Sequence, residues 1–320
     1  MSEVLLKVEN LKKYFPLPGK ILSFRKEAVR AVDGVSFQIR KGETLSLVGE
    51  SGCGKTTAGK TILRLIEPTA GNVWLKDVNL AALDEKGLRR IRKEMQIVFQ
   101  DPYSSLNPRM TVDRIIGEAL SIHGLAKKRD REEKSVQVLE MVGLGADHLY
   151  RYPHEFSGGQ RQRIGIARAL AVSPELIVAD EPISSLDVSI QAQIINLLED
   201  LQKRLGLTYL FISHDLNVVA HISDHVGVMY LGRIVEMAPA QVLYQDPRHP
   251  YTQALLSSVP VADPTLKRQE IILEGEVPSP INPPPGCHFH PRCSHRKKEC
   301  SSLEPSLQEM GPGHFVACLP

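Results

Sequence analysis

No stretch of apolar residues in this 320-residue chain approaches the ~20 needed for a membrane-spanning helix. The longest are short strings such as Tyr209-Leu210-Phe211-Ile212. The opening Met1-Ser2-Glu3-Val4-Leu5-Leu6-Lys7 carries an acid and lacks the apolar segment of a signal peptide. The chain is therefore expected to be soluble and cytosolic, and not to cross a membrane by itself. An excess of either charge is also missing: 39 Lys and Arg against 37 Asp and Glu leave +2, which argues against a dedicated nucleic-acid coat. With 42% hydrophobic and 24% charged residues the composition is that of a globular protein, and its length allows two domains. Cysteine occurs once before residue 287, at Cys53, and then four times between Cys287 and Cys318.

Alternating and apolar stretches at residues 4–8 and 35–39 predict strands, separated by a basic, turn-prone insertion over 16–30. Leu45-Ser46-Leu47-Val48 is a short apolar strand that stops at Gly49. From Lys55, the residues Ala58, Ile62, Leu65 and Ile66 recur at helical spacing until Pro68. The middle, about 101–160, is more polar and helical, and the mixed-sign run from Lys127 to Lys134 reads as a solvated helix face. A strand over 176–180 precedes an amphipathic helix through Ile190, Ile194, Leu197, Leu201 and Leu205, closed by Gly206. A further strand over 209–213 follows. Apolar strands alternating with helices predict an α/β fold with a mainly parallel sheet. After about residue 240 the composition shifts, and the Pro-rich segment 277–286 reads as an extended linker.

Gly49-Glu50-Ser51-Gly52-Cys53-Gly54-Lys55-Thr56, followed by Thr57, has the G-x-x-x-x-G-K-[ST] spacing between a strand and a helix. Its glycines let backbone N–H groups turn inward around phosphates at a helix N-terminus. Lys55 is suited to neutralise β- and γ-phosphate charge, and Thr56 to offer a hydroxyl to Mg²⁺. Cys53 reads as a small filler within this loop, not a nucleophile. Asp180 and Glu181 end an apolar strand, where ligands bind in such sheets; Asp180 suits the Mg²⁺ shell and Glu181 an attacking water. Ser157-Gly158-Gly159-Gln160 opens another helix and makes a second anion site.

The phosphate loop, Ser157-Gly158-Gly159-Gln160, Asp180-Glu181 and Ser213-His214-Asp215, in this order, resemble the nucleotide-binding subunit of an ATP-binding-cassette (ABC) transporter. The resemblance implies a P-loop NTPase fold with a mixed sheet core, an antiparallel β subdomain and a helical subdomain at about 101–160. It implies that two such chains sandwich ATP head to tail, Ser157 to Gln160 of one closing the phosphate loop of the other. Gln100 corresponds to the family's lining glutamine, which contacts Mg²⁺ and the membrane partner. Asp187, within Ser185-Leu186-Asp187, corresponds to the loop communicating across the dimer. His214 corresponds to the γ-phosphate histidine, and Phe15, ahead of its neighbour Tyr14, to the aromatic that stacks on adenine.

Three further segments resemble the second ATPase subunit of dipeptide and oligopeptide importers: Gln100 to Met110, Arg248-His249-Pro250-Tyr251, and the Pro-preceded cysteine tail. By that resemblance residues 1–240 form the ATPase domain and 241–320 an importer-type C-terminal region. The implied activity is ATP hydrolysis coupled to peptide import at the cytoplasmic face of the cell membrane. The implied partners are a homologous ATPase subunit, two transmembrane permease subunits and, indirectly, an extracytoplasmic substrate-binding protein, with no nucleic acid. Related members import nickel, glutathione or other small solutes, so an importer ATPase for such a solute is the alternative, and a non-transport ABC ATPase a further one.

Cys287, Cys293, Cys300 and Cys318 are separated by five, six and seventeen residues. Four thiolates suit tetrahedral Zn²⁺ or a [4Fe–4S] cluster, and a cytosolic setting disfavours disulfides. None of the gaps is the C-x2-C of zinc ribbons, and free thiols are a further alternative. The importer resemblance implies a cluster here, so [4Fe–4S] is the expectation, with Zn²⁺ as the alternative.

Overall fold

Strands Thr44–Val48, Leu176–Asp180 and Thr208–Ile212 are buried along their whole length. Continuous apolar runs of this kind belong inside a sheet covered on both faces. The computed structural model describes residues 3–17, 27–127, 130–259 and 270–319. The insertion expected over 16–30 lies outside the described residues from 18 to 26, as do Lys128 and Arg129 of the charged run. The chain forms two units: Met1–Leu5, Ile39–Glu43 and Ala82–Ile212 make one, and Leu6–Gln38, Thr44–Ala81 and Ser213–Pro320 the other.

In the first unit, strand Met95–Val98 pairs in parallel with Leu176–Asp180, which pairs in parallel with Thr208–Ile212. Helix Gly158–Leu170 packs on Met95–Val98, and helices Pro102–Ser105, Val112–Ile122 and Arg131–Met141 pack around it. Helix Val188–Leu205 buries Ile194, Ile195, Leu198 and Leu201 and ends at Gly206 in the left-handed conformation. Leu205, expected on the apolar stripe, is the last residue of the helix and is instead exposed.

In the second unit, strand Thr44–Val48 runs parallel to His225–Tyr230. Arg233–Pro239, His314–Val316 and Gln308–Gly311 then add in antiparallel order. A separate antiparallel layer runs Ala28–Arg40, Val4–Pro16, Ala70–Leu75, Val78–Asn79. Helix Lys55–Ile62 stops earlier than its periodicity predicts. Arg64 there turns left-handed at φ 52°, and its guanidinium bonds the Leu80 carbonyl and the Glu67 carboxylate.

A cysteine-rich extension hung from a linker is not what the second unit contains. The hairpin of Gln308–Gly311 and His314–Val316 widens the sheet, and Ala317 N donates to the Val235 carbonyl. Buried Glu236 holds this region together: it accepts the N–H groups of Arg248 and His249 and bonds His314 Nε2 at 2.7 Å. Among the described residues no helix is long and apolar enough to cross a membrane.

Candidate functional site

The phosphate loop leaves strand Thr44–Val48 and enters helix Lys55–Ile62 through Gly54. Two glycines are dictated by space and backbone. Gly49 has φ 145°, and a Cβ on it would lie 2.2 Å from the Met229 carbonyl oxygen; Gly54 has φ 106°, and a Cβ would lie 2.0 Å from that of Ala31. Neither position accepts a side chain. The loop also receives a backbone bond from outside: Gly232 N donates to Cys53 O at 2.9 Å.

Lys55 is buried, and its ammonium donates to the carbonyls of Gly49 at 2.7 Å and Glu50 at 3.1 Å. The Cys53 thiol is buried and held above its ordinary pKa by that burial, as befits a filler. Ser51 and Gly52 are exposed, and Thr56 and Thr57 are half-buried. Ser213 N donates to the Leu47 carbonyl at 3.2 Å, which puts exposed His214 beside the end of the strand that feeds the loop. Phe15 is exposed on strand Val4–Pro16, with the Lys13 ammonium 4.9 Å from its ring centre. Tyr14 is occupied: its hydroxyl donates to Asp33, itself paired with Arg233. Burial and that bond raise the Tyr14 hydroxyl to about 12.

Glu50 lies in the loop, but neither pattern nor spacing marks it as an anchor for the C-terminal region. Its carboxylate takes both terminal nitrogens of Arg292, at 2.9 and 3.1 Å, and its backbone N–H donates to Tyr251 Oη at 2.9 Å. The partners are 242 and 201 residues away, beyond any local signal.

In the first unit, Asp180 is buried at the end of its strand. Glu181 follows with φ 46°, a left-handed conformation that is costly for a side-chain-bearing residue and that collects at functional sites. Its N–H donates to the Ile212 carbonyl at 2.9 Å. Gln100 Nε2 donates to Glu181 Oε2 at 2.7 Å, and Ser185 Oγ donates to the Gln100 carbonyl at 3.4 Å. Ser157 caps helix Gly158–Leu170 in a reciprocal box: its hydroxyl accepts from Gln160 N, and Gln160 Oε1 accepts from Ser157 N. A Cβ on Gly159 would lie 2.5 Å from Ile190 Cγ2. Asp187 is exposed and caps helix Val188–Leu205 without a side-chain bond.

The late cysteines lie within electrostatic reach of one another. Burial raises the thiols of Cys287, Cys293 and Cys318, and the charge of neighbouring cysteines raises them further. Cys287 N donates to the Cys300 carbonyl at 2.8 Å. Among the described residues, however, no three of His, Cys, Asp and Glu are arranged to hold a metal ion. The expected [4Fe–4S] or Zn²⁺ ligation by Cys287, Cys293, Cys300 and Cys318 is therefore not supported by the arrangement of the described residues. What surrounds this segment is aromatic. Phe289 is 1% exposed, with its ring centre 5.2 Å from Tyr230, 5.4 Å from Tyr251 and 5.5 Å from His249.

Comparison with known proteins matches residues 32–184 to the ABC transporter family and 235–300 to the oligopeptide/dipeptide transporter C-terminal region. The oligopeptide transport ATP-binding protein AppF of Bacillus subtilis is 56% identical, over 99% of this chain and 97% of its own. The putative oligopeptide transport ATP-binding protein YkfD of the same organism is 57% identical, over 98% and 94%. Among solved structures, the dimeric post-hydrolysis state of the ATP-binding cassette MJ0796 bound to ADP and Pi matches with TM-score 0.64 and 29% identity, over 73% of this chain and 98% of that one. CbiO1 from Clostridium perfringens, part of the ABC transporter complex cbiONQ, matches with TM-score 0.65 and 25% identity, over 76% and 92%.

Proposed function

The chain belongs to the ABC transporter family, among the ATP-binding subunits of oligopeptide transporters, and on that premise we propose that it hydrolyses ATP to power import of di- or oligopeptides. One observation carries this reading: an ABC cassette and a peptide-transporter C-terminal region occur in the same chain, at 56% identity to an oligopeptide transport ATP-binding protein over 99% of its length.

Lys55 neutralises phosphate charge, and the backbone N–H groups of residues 49–57 cradle the phosphates. Phe15 offers adenine an exposed ring. Thr56, Gln100 and Asp180 carry hard oxygen donors and are the residues that would hold Mg²⁺, whose charge would offset that of the phosphates. Glu181 accepts the proton of the attacking water, and Gln100 positions that carboxylate. His214 donates toward the γ-phosphate. Ser157 to Gln160, with Asp187, serve the nucleotide of a second, homologous ATPase subunit, a reading supported by the dimeric state of the MJ0796 relative. Two permease subunits, an extracytoplasmic substrate-binding protein and a place at the cytoplasmic face of the membrane complete the proposal. The mutual electrostatic influence of Cys287, Cys293, Cys300 and Cys318 supports thiol-based binding of a [4Fe–4S] cluster or Zn²⁺ in the C-terminal region, and iron and zinc analysis of the full chain tests it.

Reconstitution of the chain with its partner subunits in vesicles tests the function. ATP-dependent uptake of labelled peptide, lost with Glu181→Gln, is the expected result. Hydrolysis without peptide uptake would overturn the substrate assignment.

A further inference from the structure

The C-terminal region grips the phosphate loop at Glu50 and holds that residue on two sides. Arg292 grips the carboxylate with both terminal nitrogens, a geometry that fixes direction as well as charge. Tyr251 accepts the backbone N–H. The grip is itself built. The Arg292 side chain is 8% exposed, its guanidinium lies 5.9 Å from the centre of the Tyr230 ring, and Phe289, three residues earlier, packs against both Tyr230 and Tyr251, whose rings also meet at 4.8 Å. On the far side, the Glu50 carbonyl is one of the two that Lys55 holds. A chain of direct contacts thus runs from the cysteine-bearing segment to the lysine of the loop.

The charge along this path matters. ATP brings several negative charges to residues 49–57, and a carboxylate within that loop repels them. The repulsion is largest where water is partly excluded. A bidentate guanidinium cancels the carboxylate and orients it.

We infer that Arg292 is a positioning residue for nucleotide binding, acting through Glu50: the C-terminal region sets the affinity of the phosphate loop for ATP. The inference rests on the ATP-binding reading of that loop. Arg292 contacts no reacting atom, so its removal acts on binding and not on the chemical step.

The test is a double-mutant cycle on the full chain, reading MgATP affinity by calorimetry and hydrolysis by phosphate release. Arg292→Ala is expected to weaken MgATP binding about tenfold and raise KM in proportion, with kcat within about twofold. Arg292→Lys keeps the charge but loses the fork, and is expected to fall between the two. In a Glu50→Gln background the same Arg292→Ala change is expected to cost less than about twofold, because the carboxylate to be neutralised is gone. The Arg292→Ala loss is also expected to shrink at high salt. Unchanged affinity in Arg292→Ala, or an equal loss in both backgrounds, overturns the inference. If Arg292→Ala does not fold, Arg292→Lys in the two backgrounds separates the same outcomes. A wild-type chain that binds no ATP overturns the inference together with the reading beneath it.

Discussion

Gln100 and Glu181 are joined directly, side chain to side chain, by a 2.7 Å hydrogen bond across 81 residues of sequence. The glutamine at the start of the segment 100–110 therefore senses, and is sensed by, the carboxylate assigned to the attacking water. Any movement of that segment changes the orientation of the proposed base.

Glu181→Gln is expected to leave MgATP binding within about threefold of wild type while lowering kcat by about 10²–10⁴-fold, the usual worth of a positioned general base. Gln100→Ala removes the positioning bond and the proposed Mg²⁺ donor together, and is expected to lower kcat less than Glu181→Gln does but to weaken MgATP binding as well. Steady-state phosphate release together with equilibrium nucleotide binding separates the two.

Gly54→Ala and Gly49→Ala each place a methyl against a backbone carbonyl oxygen, at 2.0 and 2.2 Å, from a positive φ. Urea denaturation is expected to show a loss of at least about 2 kcal/mol for each. Gly52→Ala has a positive φ but open space around it, and is expected to lose less, about 1 kcal/mol.

Burial holds His249 neutral, with its pKa lowered to about 4. Its Nδ1 accepts the Tyr251 N–H, and its backbone N–H donates to Glu236. The unfolded chain titrates near 6.5 and so binds the extra proton first as the pH falls. Stability is then complete above about pH 6.5 and falls by up to about 3 kcal/mol as the pH drops toward 4. Equilibrium denaturation across this range is expected to show the decline. His249→Asn, which keeps an acceptor but cannot ionise, is expected to flatten that contribution.

Glu236→Leu would leave the N–H groups of Arg248 and His249 and the ring of His314 without their buried acceptor. The expected cost is about 3–5 kcal/mol by thermal or chemical unfolding. Glu236→Gln keeps an acceptor and is expected to cost less.

Much of this architecture was legible in local pattern. The strand before the phosphate loop, the strand ending in Asp180 and the helix closed by Gly206 follow from short apolar runs and a cap that act within a few residues. The C-terminal region was legible only in part. Four cysteines signalled chemistry, but their spacing in sequence does not specify whether the sulfurs meet in ligand geometry, and among the described residues no metal-holding group forms. Arg292 was invisible for a different reason. A lone arginine among basic neighbours carries no pattern, and its partner Glu50 occupies an unconstrained position of the phosphate motif. Contacts spanning 242 residues are decided by tertiary packing alone.

The Glu50–Arg292 pair also sets an order of events during synthesis. A nascent chain that has emerged only as far as residue 280 carries the whole phosphate-loop sequence, yet neither Phe289 nor Arg292 that brace it. Closing so long a separation comes late in folding. The nucleotide site of this protein therefore matures only once residues 289–292 have been made, and a chain released before them carries a loop that is correct in sequence and unsupported in space.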